Sequence, residues 1–329
     1  MAKIIDWDEH IGRRLRLRDL RVFFAVMESG SLAKAGLQLG VSQPAVSQVI
    51  ADLEHGLKVR LFDRHTRGAE PTIYAKALLA RARAAFDELR QGVKDIEFLT
   101  DPGAGEIRIG STDFLMVGLI ATIIDRIARE SPRITFQVIQ GNGPGLGDLL
   151  RERKIDAIIA RQTVPDDDDL VSEMLFDEQF FIVAGPQSRW LRRRKIDLSD
   201  LVGEPWIMPT PLTTLGALIA EQFRARGLTP PKASVVSDSM TLRSALLATG
   251  RYLSVLPEST VQFATQQLHV KVLPVDIPRI TRATEITTFK NRSLSPVLER
   301  FIDCARDVAK SISGKSARRR AYALGCNVG

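Results

Sequence analysis

Two cysteines in 329 residues, Cys304 and Cys326, are too few and too far apart for a disulfide framework. Neither stands at zinc-ligand spacing from His10, His55, His65 or His269. This cysteine usage fits a reducing cytoplasm. No apolar run approaches the roughly 20 residues that a membrane span needs. The opening stretch MAKIIDWDEHIGRRLRLRD is charged and lacks an apolar core, so no secretory signal is expected. No nucleophile–base set, metal cluster or cofactor loop stands out, and the expectation is a protein that is not an enzyme and uses no cofactor or metal. Two segments imitate such sites. Gly141-Asn-Gly-Pro-Gly-Leu-Gly147 lacks the Lys-Ser/Thr of a phosphate loop and the spacing of a dinucleotide fingerprint. The acids Asp166 to Asp169 follow Pro165 and read as a solvated turn rather than a metal site.

What is present begins with length, which implies two or three domains. The net charge of +7 suits a polyanionic partner, and its placement says more than its size. Ten Lys/Arg between Ile11 and Arg67 face five acids, a local excess of five. A second basic cluster, Arg192 to Lys195, has no recognition element beside it and reads as a solvated loop or helix end. The stretch Lys315 to Arg320 lacks apolar periodicity, so a basic tail without structure is expected.

The first hundred residues carry a helix–turn–helix pattern. Leu20, Phe23, Phe24 and Met27 recur at helical spacing, Asp19 supports the start of that helix, and Gly30 ends it. Ser31 caps a short second helix whose Leu32, Ala33, Ala35 and Leu37 are available for burial. Gly36 inside it costs about 1 kcal/mol against Ala. Gly40 makes the turn, Ser42 caps a third helix and Pro44 falls in its first turn. Val46, Val49, Ile50 and Leu53 form its inner stripe, leaving Gln43, Ser47 and Gln48 outside. Such a helix lies in the major groove, where Gln reads adenine and the helix N-terminus favours phosphate. A plain three-helix bundle explains a lone Gln or Ser; the whole pattern with its positive charge favours DNA.

The stretch Ser31-Leu-Ala-Lys-Ala-Gly-Leu-Gln-Leu-Gly-Val-Ser-Gln-Pro-Ala-Val-Ser-Gln48 resembles the winged helix-turn-helix of the LysR-type transcriptional regulators. Leu53-Glu54, Leu61-Phe62-Asp63-Arg64, Arg67-Gly68 and Pro71-Thr72 resemble that family's wing, and the resemblance continues to about Ile312. It departs at Pro71-Thr72-Ile73-Tyr74-Ala75, where the family usually carries a glycine. The resemblance implies major-groove contacts by Gln43, Pro44, Ser47 and Gln48. It implies phosphate contacts by Ser31, Lys34 and Thr72, and a wing bearing Arg64 and Arg67. Gly250-Arg251-Tyr252 and Lys290-Asn-Arg-Ser-Leu-Ser-Pro296 are similar to a subgroup linked to sugar uptake.

The expected architecture is multidomain. Residues 1–16 form an extension, 17–75 an all-α winged helix-turn-helix, 76–100 a long linker helix and 101–105 a hinge. An α/β effector-binding domain follows over 106–312, and a tail over 313–329. In the linker, Leu78, Ala82, Ala85, Leu89, Gly92, Ile96 and Leu99 form a heptad seam that Phe86 and Val93 widen. It predicts a homodimer on a dyad-like double-stranded DNA operator, the alternative being packing on its own domain. The resemblance adds a dimer of dimers and a contact with RNA polymerase.

Beyond the linker, strand-like and helix-like segments alternate, predicting mostly parallel sheets. The resemblance implies two subdomains (106–178 with 266–312, and 179–265) like those of periplasmic solute-binding proteins. The chain would cross near Asp177 to Phe180 and return near Gln262 to Leu268. Ligands sit at the carboxyl ends of such strands, which selects Ser111, Thr112, Asn142, Gly143, Arg161, Thr213, Thr214 and Ser239. Capping alone also places hydroxyls and Asn there. An arginine at a strand end suits a carboxylate or phosphate. The expected function is a regulator answering a small polar effector, anionic or sugar-derived. An effector-indifferent architectural DNA protein and an enzyme with a DNA-binding appendage are the rivals.

Overall fold

The computed structural model describes residues 15–65, 68–161, 169–210, 214–262, 270–275, 281–290 and 292–323. The chain divides into two compact units, Met1–Arg90 and Gln91–Gly329.

In the first unit, α1 (Leu17–Ser29) buries Leu20, Phe23, Ala25 and Val26 and stops at Gly30, whose N–H bonds the Val26 carbonyl. Helix α2 (Leu32–Leu39) starts at Ser31, whose hydroxyl accepts the Lys34 N–H. Helix α3 (Gln43–Leu57) starts at Ser42, whose hydroxyl accepts the Ala45 N–H, with Pro44 in the first turn. Val46, Ile50 and Leu53 are buried, as the stripe predicts, and Phe23 packs against Phe62 with ring centroids 5.8 Å apart. Leu37 departs from expectation: it is 84% exposed, and Ala35 and Gly36 carry the burial of α2 instead. A Cβ on Gly36 would stand 2.7 Å from the Val41 carbonyl oxygen, so this glycine lets the turn fold against the helix.

The wing is a hairpin of β1 (Phe62–His65) and β2 (Gly68–Pro71). Its entry is held by Glu54, whose Oε1 accepts the N–H groups of Leu61 (2.7 Å) and Phe62 (3.1 Å). Its exit is docked on α1, because Ala69 donates to the Gly30 carbonyl at 2.9 Å. Gly68, at φ 150, would place a Cβ 2.6 Å from that same oxygen. Helix α4 (Ile73–Thr100) follows directly. Thr72 makes the junction without the family's glycine: its hydroxyl donates to the Arg60 carbonyl and accepts the Ala75 N–H. In this half of α4, Leu78 and Leu79 pack on the winged-helix core, Ala82 is buried, and Phe86 meets Phe24 edge-on at 5.2 Å. Packing on its own domain therefore takes the first half of the seam.

The second unit is built on a nine-stranded sheet. In the first lobe β3 (Ala104–Ser111) lies between β4 (Arg133–Gln140) and β5 (Ala157–Arg161), all parallel. Strand β11 (Thr281–Phe289) runs antiparallel between β5 and β6 (Leu170–Ala184). Strand β6 continues unbroken into the second lobe, where it pairs with β9 (Leu253–Pro257), and β9 leads to β7 (Trp206–Met208) and β8 (Ala233–Val236). Helices α5 (Asp113–Leu115), α6 (Ala121–Glu130), α7 (Gly143–Arg151), α8 (Thr214–Arg224), α9 (Met240–Ala248) and α10 (Pro296–Ala323) cover the strands. A π turn, Met116–Ile120, joins α5 to α6. The first lobe's core gathers Ile107, Ile109, Leu119, Ile123 and Phe301; the second's gathers Phe180, Trp206 and Phe223.

Several expectations change. The pairings are mixed rather than mostly parallel, because β6 and β11 enter antiparallel. The hinge shortens, since Ala104 and Gly105 already pair with Arg133 and Ile134. The return to the first lobe falls after Val275, not within 262–268. Val270 and Leu273 are buried in second-lobe clusters, and β10 (Lys271–Val272) pairs with Val183 and Ala184. Helix α10 runs through the basic stretch to Ala323, where Ala, Arg and Lys are good helix formers although no apolar stripe marks them.

Candidate nucleic-acid interface and effector site

Gln43, Pro44 and Gln48 are exposed on the outer face of α3, and Ser47 is half-buried beside them. The Gln48 side-chain amide donates to Asp52 Oδ1 at 2.8 Å, which fixes its direction and leaves one N–H and the carbonyl free. That donor–acceptor pair is what an adenine edge requires. Ser31 and Thr72 serve as helix caps, half-buried, while Lys34 is exposed. Arg64 stands in β1 opposite Ala69, with its side chain outside the described residues, as Arg67 is altogether. Reasoning from sequence passed over Glu54 and Gly30, which hold the wing; a lone acid at the end of a basic helix is its one visible signal.

The α/β unit sorts the other candidates by what already occupies them. Ser111 is spent: its hydroxyl is buried and donates to the Ile159 carbonyl at 2.7 Å. Asn142 and Ser239 act as caps, accepting from Gly145 (3.0 Å) and Leu242 (3.3 Å). Gly143 is buried in the first turn of α7, where the glycine-rich segment proves to be a helix start. The N-terminus of α9 is taken as well, because Asp113 Oδ2 accepts the Met240 N–H at 2.7 Å. Thr214 opens α8 with its side chain undescribed, and Thr213 and Asp166 to Asp168 lie outside the described residues. Thr112 differs, since its hydroxyl oxygen is sealed from water and meets no partner.

Arg161 ends β5 and bonds Glu178 Oε2 through Nε at 2.5 Å. Glu178 is fully buried and also accepts from the Ser259 N–H and hydroxyl. The Arg161 guanidinium lies 5.3 Å from the Phe180 ring and 5.8 Å from the Phe114 ring. The sequence reading missed Arg243 of α9, which looks from sequence like one turn of a surface helix. It is fully buried and donates to the Ile207 carbonyl, Ser254 Oγ and the Ser237 carbonyl. Burial pulls its pKa down to about 10, against the opposing charges of Asp238 and Asp113.

Two family models match this chain. One, the bacterial regulatory helix-turn-helix of the lysR family, covers residues 17–76; the other, the LysR substrate binding domain, covers residues 100–310. The chain belongs to the LysR family of transcriptional regulators. It is 28% identical to the HTH-type transcriptional regulator GbpR of Azospirillum brasilense over 86% of this chain and 83% of that one. It is 27% identical to the transcriptional dual regulator GltC of Bacillus subtilis (strain 168), over 88% and 96% of the two chains. Among solved structures, full-length CbnR in complex with its target DNA shares the fold at a TM-score of 0.61, with 20% identity over 89% and 99%. This LysR regulator is thus a DNA-binding helix-turn-helix protein with an effector-binding α/β domain. Among the described residues no helix is long and apolar enough to cross a membrane.

The stretches similar to a sugar-uptake subgroup have structural roles here. Gly250 ends the turn after α9, with its N–H on the Leu247 carbonyl, and Arg251 lies on the Tyr252 ring. Arg292 is buried on Asp156.

Proposed function

We propose that this LysR regulator works in the cytoplasm as a homodimer that reads a dyad-like operator through α3. A small polar molecule in the α/β domain then changes the protein–DNA complex. The observation that supports the reading most is the α3 face, with exposed Gln43, Pro44 and Gln48 backed by a fully apolar inner stripe. Removing a side chain that reads a base costs about 1–3 kcal/mol of discrimination. Gln43→Ala and Gln48→Ala are each expected to weaken operator binding roughly tenfold or more, with salt-dependent binding to random DNA kept. Equal loss on both DNAs in gel-shift titrations would remove base reading from α3. Operator footprints with and without metabolites test the switching part. A footprint that no small molecule alters leaves an architectural DNA binder.

Pairing is supported by the second half of the seam. Leu89, Val93, Ile96 and Leu99 are more than half exposed on α4, an apolar row that water disfavours. Leu89→Glu with Ile96→Glu is expected to halve the mass seen by analytical ultracentrifugation and to abolish cooperative operator binding. A doubled dimer and a contact with RNA polymerase extend the same proposal, and the sedimentation run separates dimer from tetramer. An unchanged mass would place the pairing surface elsewhere.

A further inference from the structure

The second unit buries one positive charge more than it neutralises at the meeting of its lobes. Arg243 is fully buried, and its partners are two carbonyls and a hydroxyl, all uncharged. Among the described residues no carboxylate lies within ion-pair distance of it, and its Nε–H is sealed from water without an acceptor. A buried cation without a counter-ion is costly. Arg161 stands on the other lobe with Nε committed to Glu178 and Nη2 likewise sealed and without an acceptor. Both guanidiniums lie over one ring, Phe114, at 5.1 Å and 5.8 Å from its centroid. Two residues before that ring, the Thr112 hydroxyl is the third sealed polar group without a partner. Both arginines reach this point from the carboxyl ends of strands. Arg161 ends β5, and Arg243 clasps the carbonyls of Ile207 in β7 and Ser237 just past β8.

We propose that the effector of this chain carries a carboxylate, held between Arg161 and Arg243 with its carbon skeleton over Phe114. The inference rests on the effector-sensing reading above and names the class of molecule sensed. One carboxylate supplies the missing negative charge and gives acceptors to the stranded N–H groups. A guanidinium presents its donors in a planar fork that matches a carboxylate in geometry as well as charge. Glu178 occupies Arg161 from within, so the incoming group leans on Arg243 for its full charge. A neutral sugar would fill the space and leave Arg243 uncompensated.

The test uses the full chain. Melting temperature and calorimetric affinity are measured against small carboxylic acids (hydroxy acids, dicarboxylic acids, amino acids and aldonic acids). Their amides and neutral hexoses are the opposed arm. At least one acid is expected to raise the melting temperature by several degrees and to change the operator footprint, while its amide binds at least tenfold more weakly. Arg243→Gln is expected to weaken the acid roughly 10- to 100-fold and to erase the acid–amide difference. Arg161→Gln provides a second variant if the first folds poorly, with the same expected loss of discrimination. A purely structural Arg243 would lower the melting temperature of the empty protein yet keep the acid–amide ratio, which would overturn the proposal. A neutral compound that alone shifts melting and footprint would overturn it too, with effector sensing intact. If no compound of either arm moves either readout, the sensing reading fails and this inference fails with it.

Discussion

Asp156→Asn is expected to destabilise the α/β unit by about 3–5 kcal/mol, the usual cost of removing one partner from a buried ion pair. Asp156 is 3% exposed and receives three cations. Arg108 donates to it from Nε (3.1 Å), from Nη2 (2.7 Å) and from its backbone N–H (3.0 Å). Arg292 donates from Nη2 at 3.1 Å, and Lys94 Nζ stands 3.6 Å away. Asparagine keeps the shape and removes the charge, leaving these cations together in the interior. The group ties three distant segments: α4 through Lys94, β3 through Arg108, and the stretch before α10 through Arg292. Burial alone would push the Asp156 carboxyl up. The Arg108 hydrogen bonds and the charges of Lys94, Arg108 and Arg292 outweigh it and hold the pKa at about 2, below the ordinary 3.8. A folded-state pKa below the unfolded one gives stability that is present above about pH 4 and lost as pH falls through 2, worth roughly 2 kcal/mol. Thermal unfolding should show the variant melting roughly 10 °C or more below the parent at pH 7, with a weaker acid dependence between pH 4 and 2. A variant that melts with the parent would mean the three cations need no counter-ion.

Gly36→Ala separates two physical arguments by sign. Helix propensity alone makes it stabilising by about 1 kcal/mol. The structure makes it destabilising, because the new Cβ would meet the Val41 carbonyl oxygen at 2.7 Å and backbone atoms of Ser42 and Gln43 near 3.5 Å. Those atoms belong to the turn and to the start of α3, so relief of the clash must move the recognition helix. Overpacking of this kind costs about 1–3 kcal/mol. The winged-helix transition is expected to fall by roughly 5–10 °C, with operator affinity down tenfold or more. The melting response of the α/β unit to small molecules should stay as in the parent. A rise in melting temperature would show that the turn gives way cheaply.

The helix-turn-helix was legible residue by residue. Its caps Ser31 and Ser42, its stop at Gly30 and its stripe Val46, Ile50 and Leu53 obey local rules that need no distant partner. The same holds for family membership, which rests on contiguous motifs. Long-range pairing was not legible. Strand β11 escaped notice because Thr281–Phe289 is rich in Thr and charge, yet it fills the gap between β5 and β6 and buries Thr284, Ile286 and Thr287. Of the candidate effector residues, capping and sheet contacts claim Ser111, Asn142 and Ser239, whereas Arg243 emerged only because α9 packs inward.

The sequence by itself thus determined the DNA-reading element and the kind of protein that carries it, since capping, turn chemistry and helical periodicity act over a few residues. Tertiary structure alone decided which half of α4 stays exposed, why Gly36 must be glycine, and which charges are buried without a partner. Each of these depends on atoms brought together across long stretches of chain, where burial sets the energy of a charge and local pattern carries no record of it.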